Sequence, residues 1–335
     1  MRRSIALVIV GLYSLLHLLP SAMAQGQQTP RPPAAKGERS EQLLRLRARF
    51  PINVRKHYKF THTTTVNRVY NDSSTVEFKT KTEFFFSLRA IEDRGDGFVT
   101  VAVNIDSLRY TYHDPEISIQ YNSEVDFPPP ISDWQFLWTT IPYGREWFFT
   151  YSPYNDIALI ESPSRELLYQ QIFDSTSTLD TVKKFLWSSA ICDDRLLFLT
   201  DITRQMLPHN PLVAWNAEWF RPVLFEADKI FFQSLAAIQV TRSDTTGEYW
   251  VTATADSLAP RFSIVLTPGY EDVFTEIQKV SGYQTHSVYI NQYGTIRQAL
   301  GELKARVRLR TPRGKTFTHV IHSTYQLQLQ GQFKW

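Results

Sequence analysis

The chain has 335 residues, a single cysteine and a formal charge of +3. One cysteine, Cys192, excludes an intramolecular disulfide, and so small a charge excludes the broad basic excess with which proteins neutralise nucleic-acid phosphates. Aromatic residues make up 14% of the chain and glycines number only 13, a composition suited to wide antiparallel sheets over an aromatic core.

The N-terminus carries the pattern of an export signal. Arg2 and Arg3 precede an apolar stretch from Ile5 to Leu19, and Ala22-Met23-Ala24 forms a small-residue cleavage site ahead of Gln25. The apolar stretch falls short of the roughly 20 residues that a spanning helix needs. Residues 1–24 are therefore read as a removable signal peptide, and the mature protein as periplasmic or outer-membrane associated. Gln25 at the first mature position leaves no cysteine for a lipoprotein anchor, and loss of Arg2 and Arg3 brings the charge to +1. Residues 25–37, with three prolines and no periodicity, read as a flexible leader. The spacing of Ser40 to Arg47 predicts a short amphipathic helix ended by Phe50-Pro51, with the folded body beginning near Pro51.

From Tyr58 the apolar period is two. Tyr58, Phe60, His62, Thr64, Val66 and Arg68 share one face of a first strand, and Lys59, Thr61, Thr63, Thr65 and Asn67 the other. After Asn71-Asp72-Ser73-Ser74, a second strand puts Val76, Phe78, Phe84, Phe86 and Leu88 in one phase. A third begins with Val99, Val101, Val103 and Ile105, then changes phase to Leu108, Tyr110 and Tyr112, which predicts a bulge or bend at Asp106-Ser107. A fourth covers Ile117 to Tyr121.

Between Pro128 and Trp219 the pattern becomes one of proline-punctuated aromatic loops and helices. Helical spacing is found at Leu167 to Phe173, Leu179 to Ile191 and Arg195 to Met206, and Asp193-Asp194 is placed to cap the last of these. Strands return at Phe231 to Arg242, Tyr249 to Ala255, Phe262 to Leu266, Ser287 to Asn291, Leu303 to Arg310 and Thr316 to Phe333. The expected fold is α+β and dominated by β structure. A large curved antiparallel sheet is built by both ends of one domain (51–335), with 51–127 and 220–335 as similar halves. The helical, aromatic-rich segment 128–219 packs on its apolar face.

Several local features accompany that order: a tyrosine-bearing first strand, a unit ending in Asp106-Ser107, and Tyr143-Gly144 before Trp147-Phe148. Leu207-Pro208 follows the helices and Tyr293-Gly294 precedes the last hairpin. In these the chain resembles an uncharacterised family of exported bacterial β-rich proteins, a domain of unknown function. The resemblance implies a soluble or peripheral envelope protein and brings no activity with it.

Motifs for catalysis are few. Arg313-Gly314-Lys315-Thr316 keeps only the end of a phosphate loop and lies in a hairpin turn, while His319 and His322 fall on opposite faces of a strand and cannot jointly chelate an ion. No catalytic residue, metal or cofactor is implied, and a hydrolase is the least supported reading. Two features stand out. Trp134, Trp138, Trp147, Phe149 and Tyr151 crowd into a short stretch, as either core or the wall of a ligand cavity. Lys304, Arg306, Arg308 and Arg310 form a basic stripe that either keeps a sheet edge soluble or contacts anionic head groups or glycans. The terminal strand alternates Tyr325, Leu327, Leu329, Phe333 and Trp335 with glutamines and Lys334, as the last strand of an outer-membrane barrel does. The leading expectation is a non-catalytic binding protein for a lipid or other apolar or amphiphilic ligand. The alternative is a component or partner of an outer-membrane protein assembly, including a barrel ending at Trp335.

Overall fold

The computed structural model describes residues 43–126, 138–174, 181–243, 248–266 and 274–334. Strand β1 (Leu43–Arg45) is followed by three long strands, β2 (Val54–Tyr70), β3 (Thr75–Asp93) and β4 (Val99–His113), and by β5 (Ser118–Asn122), β6 (Glu146–Tyr151) and β7 (Ile157–Glu161). Alternation dictates which side of each strand is dry: on β2, Tyr58, Phe60, His62, Thr64, Val66 and Arg68 are all buried. The turn between β2 and β3 is set by Asp72, whose carboxylate accepts from Ser74 N at 3.0 Å and Ser74 Oγ at 2.6 Å. The change of phase in β4 is a bulge, because Ile105 pairs with Phe86 and Ser107 with Phe85, leaving Asp106 over.

Helices α1 (Pro163–Phe173), α2 (Thr181–Ala190) and α3 (Asp193–Thr200) come next, with a 3-10 helix at Ile202–Met206. Helix α1 begins earlier than its apolar spacing indicates. Ser162 is its N-cap, accepting from Arg165 N, and Pro163 opens the first turn. In α3 the cap is Cys192, without a side-chain bond. Asp193 and Asp194 lie within the first turn, where they complement the helix dipole and pair with Arg165 and Arg261. Burial pushes the Cys192 thiol up to about 11.

The remaining strands are β8 (Leu212–Ala214), β9 (Glu218–Ala227), β10 (Ile230–Ser243), β11 (Tyr249–Ala255), β12 (Ala259–Pro260), β13 (Ile264–Leu266), β14 (Phe274–Ile290), β15 (Ile296–Arg310) and β16 (Thr316–Lys334). The two ends of the chain meet where β16 pairs antiparallel with β2, from Phe317 against Tyr70 to Lys334 against Val54. Among the described residues one sheet of 14 strands results, with the order β12-β10-β11-β14-β15-β16-β2-β3-β4-β6-β7 and with β5, β9 and β13 beside that path.

Helices and sheet meet in an aromatic cluster. Phe60 of β2 lies 5.6 Å from Phe198 of α3, Phe198 lies 5.5 Å from Phe225 of β9, and Phe225 lies 5.5 Å from Tyr325 of β16. Leu196, Leu199, Ile202 and Met206, which share a face by helical spacing, are buried beside them. Gly301 of β15 makes room for this cluster: a Cβ there would stand 2.1 Å from Cε1 of the Tyr325 ring.

Three expectations are corrected. Residues 43–45 form a strand rather than a helix. Leu44 and Leu46 alternate into the core and Leu44 pairs with Val213 of β8, so a partner strand decides a pattern that fits either element, and the folded body begins ahead of Pro51. The aromatic stretch after Pro128 includes two sheet strands, β6 and β7. Finally, the sheet does not close into a barrel ending at Trp335. Among the described residues the sheet has free edges at β9 and β7, which pair only with β10 and β6, and β16 lies in its middle with Tyr325 and Leu327 turned to the helices. Its outward residues are Thr324, Gln326 and Gln328, with no apolar band to meet lipid. Trp335 itself lies outside the described residues.

Candidate functional site

The sheet face away from α1–α3 is open among the described residues, and the strand register lays its residues in rows. Thr254, Thr285, Glu302, Thr324, Thr63, Lys81, Thr111 and Gln120 stand opposite one another from β11 to β5. Beside them runs a second row: Thr252, Ser287, Leu300, Gln326, Thr61, Glu83, Arg109 and Asn122. These rows line a trough of about 590 Å³ between β11 and β2, and a second depression of about 280 Å³ between β3 and β5. Thr63 faces Lys81 and Thr61 faces Glu83, so the two depressions adjoin. With strands about 4.8 Å apart, the rows cross about 34 Å of sheet. Hydroxyls and amides predominate in the trough floor, joined by Glu302 and the apolar Leu300, while Lys81, Glu83 and Arg109 bring charge to the second depression; a stacked pair, Trp250 and Tyr289 at 4.9 Å, sits one row beyond.

The basic stripe lies on this same face. Lys304, Arg306, Arg308 and Arg310 are all exposed on β15, with Lys304 two residues along from the trough-lining Glu302. Lys304 bonds Glu302 at 3.0 Å and His322 reaches the same carboxylate at 2.9 Å, which together hold Glu302 below the usual carboxylate range. Arg310 is paired with Glu276 at 2.6 Å. Arg306 and Arg308 have no carboxylate partner among the described residues. Arg308 faces another cation, Lys279, and Arg306 faces Ser281 and Val320. The trough therefore has an unneutralised positive flank.

The aromatic candidates lie inside. Trp147, Phe149 and Tyr151 are the inward residues of β6, paired across to Val103, Val101 and Val99, and are buried. Tyr151 lies under the Arg204 guanidinium, 3.4 Å from its ring centroid, and stacks with Phe50 at 5.0 Å. Arg204 pairs with Asp201 at 3.0 Å, and burial pushes the Asp201 carboxyl up to about 6. The neighbouring Lys56 amine is pushed down to about 8, again by burial. Trp138 stands apart from these three, 5.1 Å from the Arg195 guanidinium. Trp134 lies outside the described residues.

The interior also holds an unanticipated polar network. Ser323 Oγ lies 2.8 Å from His62 Nε2 and 2.7 Å from Thr64 Oγ1, and His286 Nδ1 lies 2.8 Å from the Tyr325 hydroxyl. A serine against a histidine is the geometry of an activated nucleophile, but here Ser323 is wholly buried and the rings of Phe198 and Phe225 lie 5.1 and 6.3 Å from His62. The pair satisfies buried hydrogen-bonding groups. No cluster of three or more metal-ligating side chains occurs among the described residues, and no helix there is long and apolar enough to cross a membrane. The sequence signal for the network was the phase of β2, which puts His62 and Arg68 on the same side as Phe60.

No protein-family model and no curated protein matches this sequence. Among solved structures the chain is similar to lipovitellin, in a study of its lipid-protein interactions: 12% identity, 85% of this chain, 26% of that one, TM-score 0.50. The chain thus spans about a quarter of that protein's length. DynF, from the dynemicin biosynthesis pathway of Micromonospora chersina, aligns at 6% identity over 89% of this chain and 92% of its own, with a TM-score of 0.26. An outer membrane channel from Pseudomonas putida F1 aligns at 7% identity over 84% of this chain and 97% of its own, with a TM-score of 0.24. The lipovitellin likeness is one of fold, and the other two are too weak to carry an argument.

Proposed function

We propose that this chain is an exported, non-catalytic binding protein of the cell envelope that takes an amphiphile with an anionic head on the open face of its sheet. One observation carries the reading: the trough and two arginines with no carboxylate partner among the described residues, Arg306 and Arg308, lie side by side on the face away from α1–α3. Hydroxyls and amides along the trough suit a polar head, and the positive flank suits its phosphate or carboxylate. The signal pattern of residues 1–24 supports the compartment. Among the described residues the interior aromatic side chains pack against one another. The lipovitellin structure, to part of which this fold is similar, concerns lipid-protein interactions, which makes phospholipid the amphiphile to try first.

Flotation with vesicles tests the reading. The protein is expected to float with phosphatidylglycerol vesicles at low salt, to be released at high salt, and to ignore phosphatidylcholine vesicles. A basic side chain near an anionic surface contributes about 1 kcal/mol, so the double variant Arg306→Gln/Arg308→Gln should bind about thirtyfold more weakly. Equal flotation of wild type and variant, or none with either lipid, would overturn it.

A further inference from the structure

The two histidines of β16 have opposite surroundings. His319 is buried beneath the sheet, whereas the His322 side chain is 53% exposed on the open face, two residues along from the trough-lining Thr324. Its Nε2 lies 2.9 Å from Glu302 Oε1, and Lys304 Nζ lies 3.0 Å from the same oxygen. A carboxylate only accepts, so Nε2 carries the hydrogen of that bond and the neutral ring keeps Nδ1 as an acceptor. A second proton therefore goes to Nδ1. It turns that nitrogen into a donor and gives the ring a charge that Glu302, already shared with Lys304, does not neutralise.

The groups facing His322 leave that charge unopposed among the described residues. Its cross-strand partners are Lys304 on β15 and Thr65 on β2. Glu302 and Arg306 stand on the diagonals from β15, and the diagonal residues of β2, Thr63 and Asn67, are uncharged. Along β16 itself the neighbours on this face are Val320 and Thr324. Beyond β2, Lys79 and Lys81 of β3 are paired with Glu77 at 2.6 Å and Glu83 at 3.1 Å. Diagonal residues of neighbouring strands are about 7–8 Å apart, within reach of one phosphate held between two long side chains. Arginine and lysine keep their charge through the physiological range, whereas histidine is the side chain suited to change it between pH 5 and 8. His322 is the member of this basic flank with that property.

We propose that His322 makes the open-face site acid-sensitive: its protonated ring joins Arg306 on the phosphate of an anionic lipid head, so that acid strengthens the association. The inference rests on the open-face reading and adds its regulation.

Phosphatidylglycerol vesicles are the probe, and flotation of the intact protein is measured at pH 8 and pH 5 at fixed ionic strength. One more positive charge at an anionic surface should tighten wild-type binding about fivefold at the lower pH. His322→Gln should bring that ratio to about one, while His209→Gln, at a surface histidine bonded to Asp156, should keep it. His322→Lys should bind at pH 8 about as tightly as wild type does at pH 5, which separates the charge from any effect of acid on the fold. A wild-type ratio near one, a ratio that survives in His322→Gln, or one lost equally in His209→Gln would each overturn this inference and leave the open-face reading standing. Flotation at neither pH would remove the open-face reading, and this inference with it.

Discussion

Strand β16 belongs to two environments at once. Phe317, His319, Ile321, Ser323, Tyr325 and Leu327 face the helices and are buried, while Thr318, Val320, His322, Thr324, Gln326 and Gln328 face the open side. The inner set meets packed neighbours on every side, so a change of shape there has nowhere to go. The outer set meets water across a trough, so a change there alters what the surface can hold and little else. Stability and recognition are thus separated by one residue along the same strand. The separation is sharpest in the middle of the sheet.

The largest effect that tests this contrast comes from Phe198, wholly buried against Phe60, Phe225 and Tyr325. Phe198→Ala should cost about 3–5 kcal/mol of unfolding free energy in a urea titration. Leu300→Ala, at a trough residue that is 39% exposed, should stay within about 0.5 kcal/mol of wild type. Comparable losses from the two would mean that the open face is covered by something the chain itself supplies.

Gly301 is where the two faces come closest to sharing a residue. It lies on the inner side between the trough residues Leu300 and Glu302, and the Tyr325 ring occupies the place its side chain would take. Gly301→Val should displace that ring from His286, to which Tyr325 is bonded at 2.8 Å, and cost about 1–3 kcal/mol. A urea midpoint equal to wild type would show that the ring relocates freely and that the cluster is looser than its geometry implies.

How far the chain could be read in advance depended on how many faces of a strand are wet. Strand β2 was plain because one side is dry and the other is not, and the bulge at Asp106 was plain because the odd phase of Val99 to Ile105 gives way to the even phase of Leu108 to Tyr112. Strand β9 was missed because Val223 to Ala227 is buried at every position, which erases the period of two. The basic stripe on β15 was visible as alternation. The interior pairs were not, since Arg68 and His319 lie 251 residues apart and only the pairing of β16 with β2 brings them together. The trough was out of reach for the same reason: it is assembled by register across five strands, from β11 to β2, not by any one segment.

The inner face should also announce itself in the pH dependence of stability. Burial pushes His62 down to about 4 and His286 down to about 3, both from an ordinary value of 6.5. Below pH 6.5 the unfolded chain therefore binds protons that the fold refuses. Each histidine removes about 1.4 kcal/mol per pH unit of acidification, with its full stabilisation present above pH 6.5. Asp201 acts in the other direction: burial raises its carboxyl from 3.8 to about 6, so the folded protein takes up a proton as pH falls through that range. Between about pH 6 and 4 this offsets one histidine, leaving a net slope near that of the other. His286→Gln, which can keep a bond to the Tyr325 hydroxyl, should remove most of that remaining slope in urea titrations at pH 6, 5 and 4. A slope left unchanged by the variant would place the acid sensitivity outside this buried network and break the division of labour between the two faces.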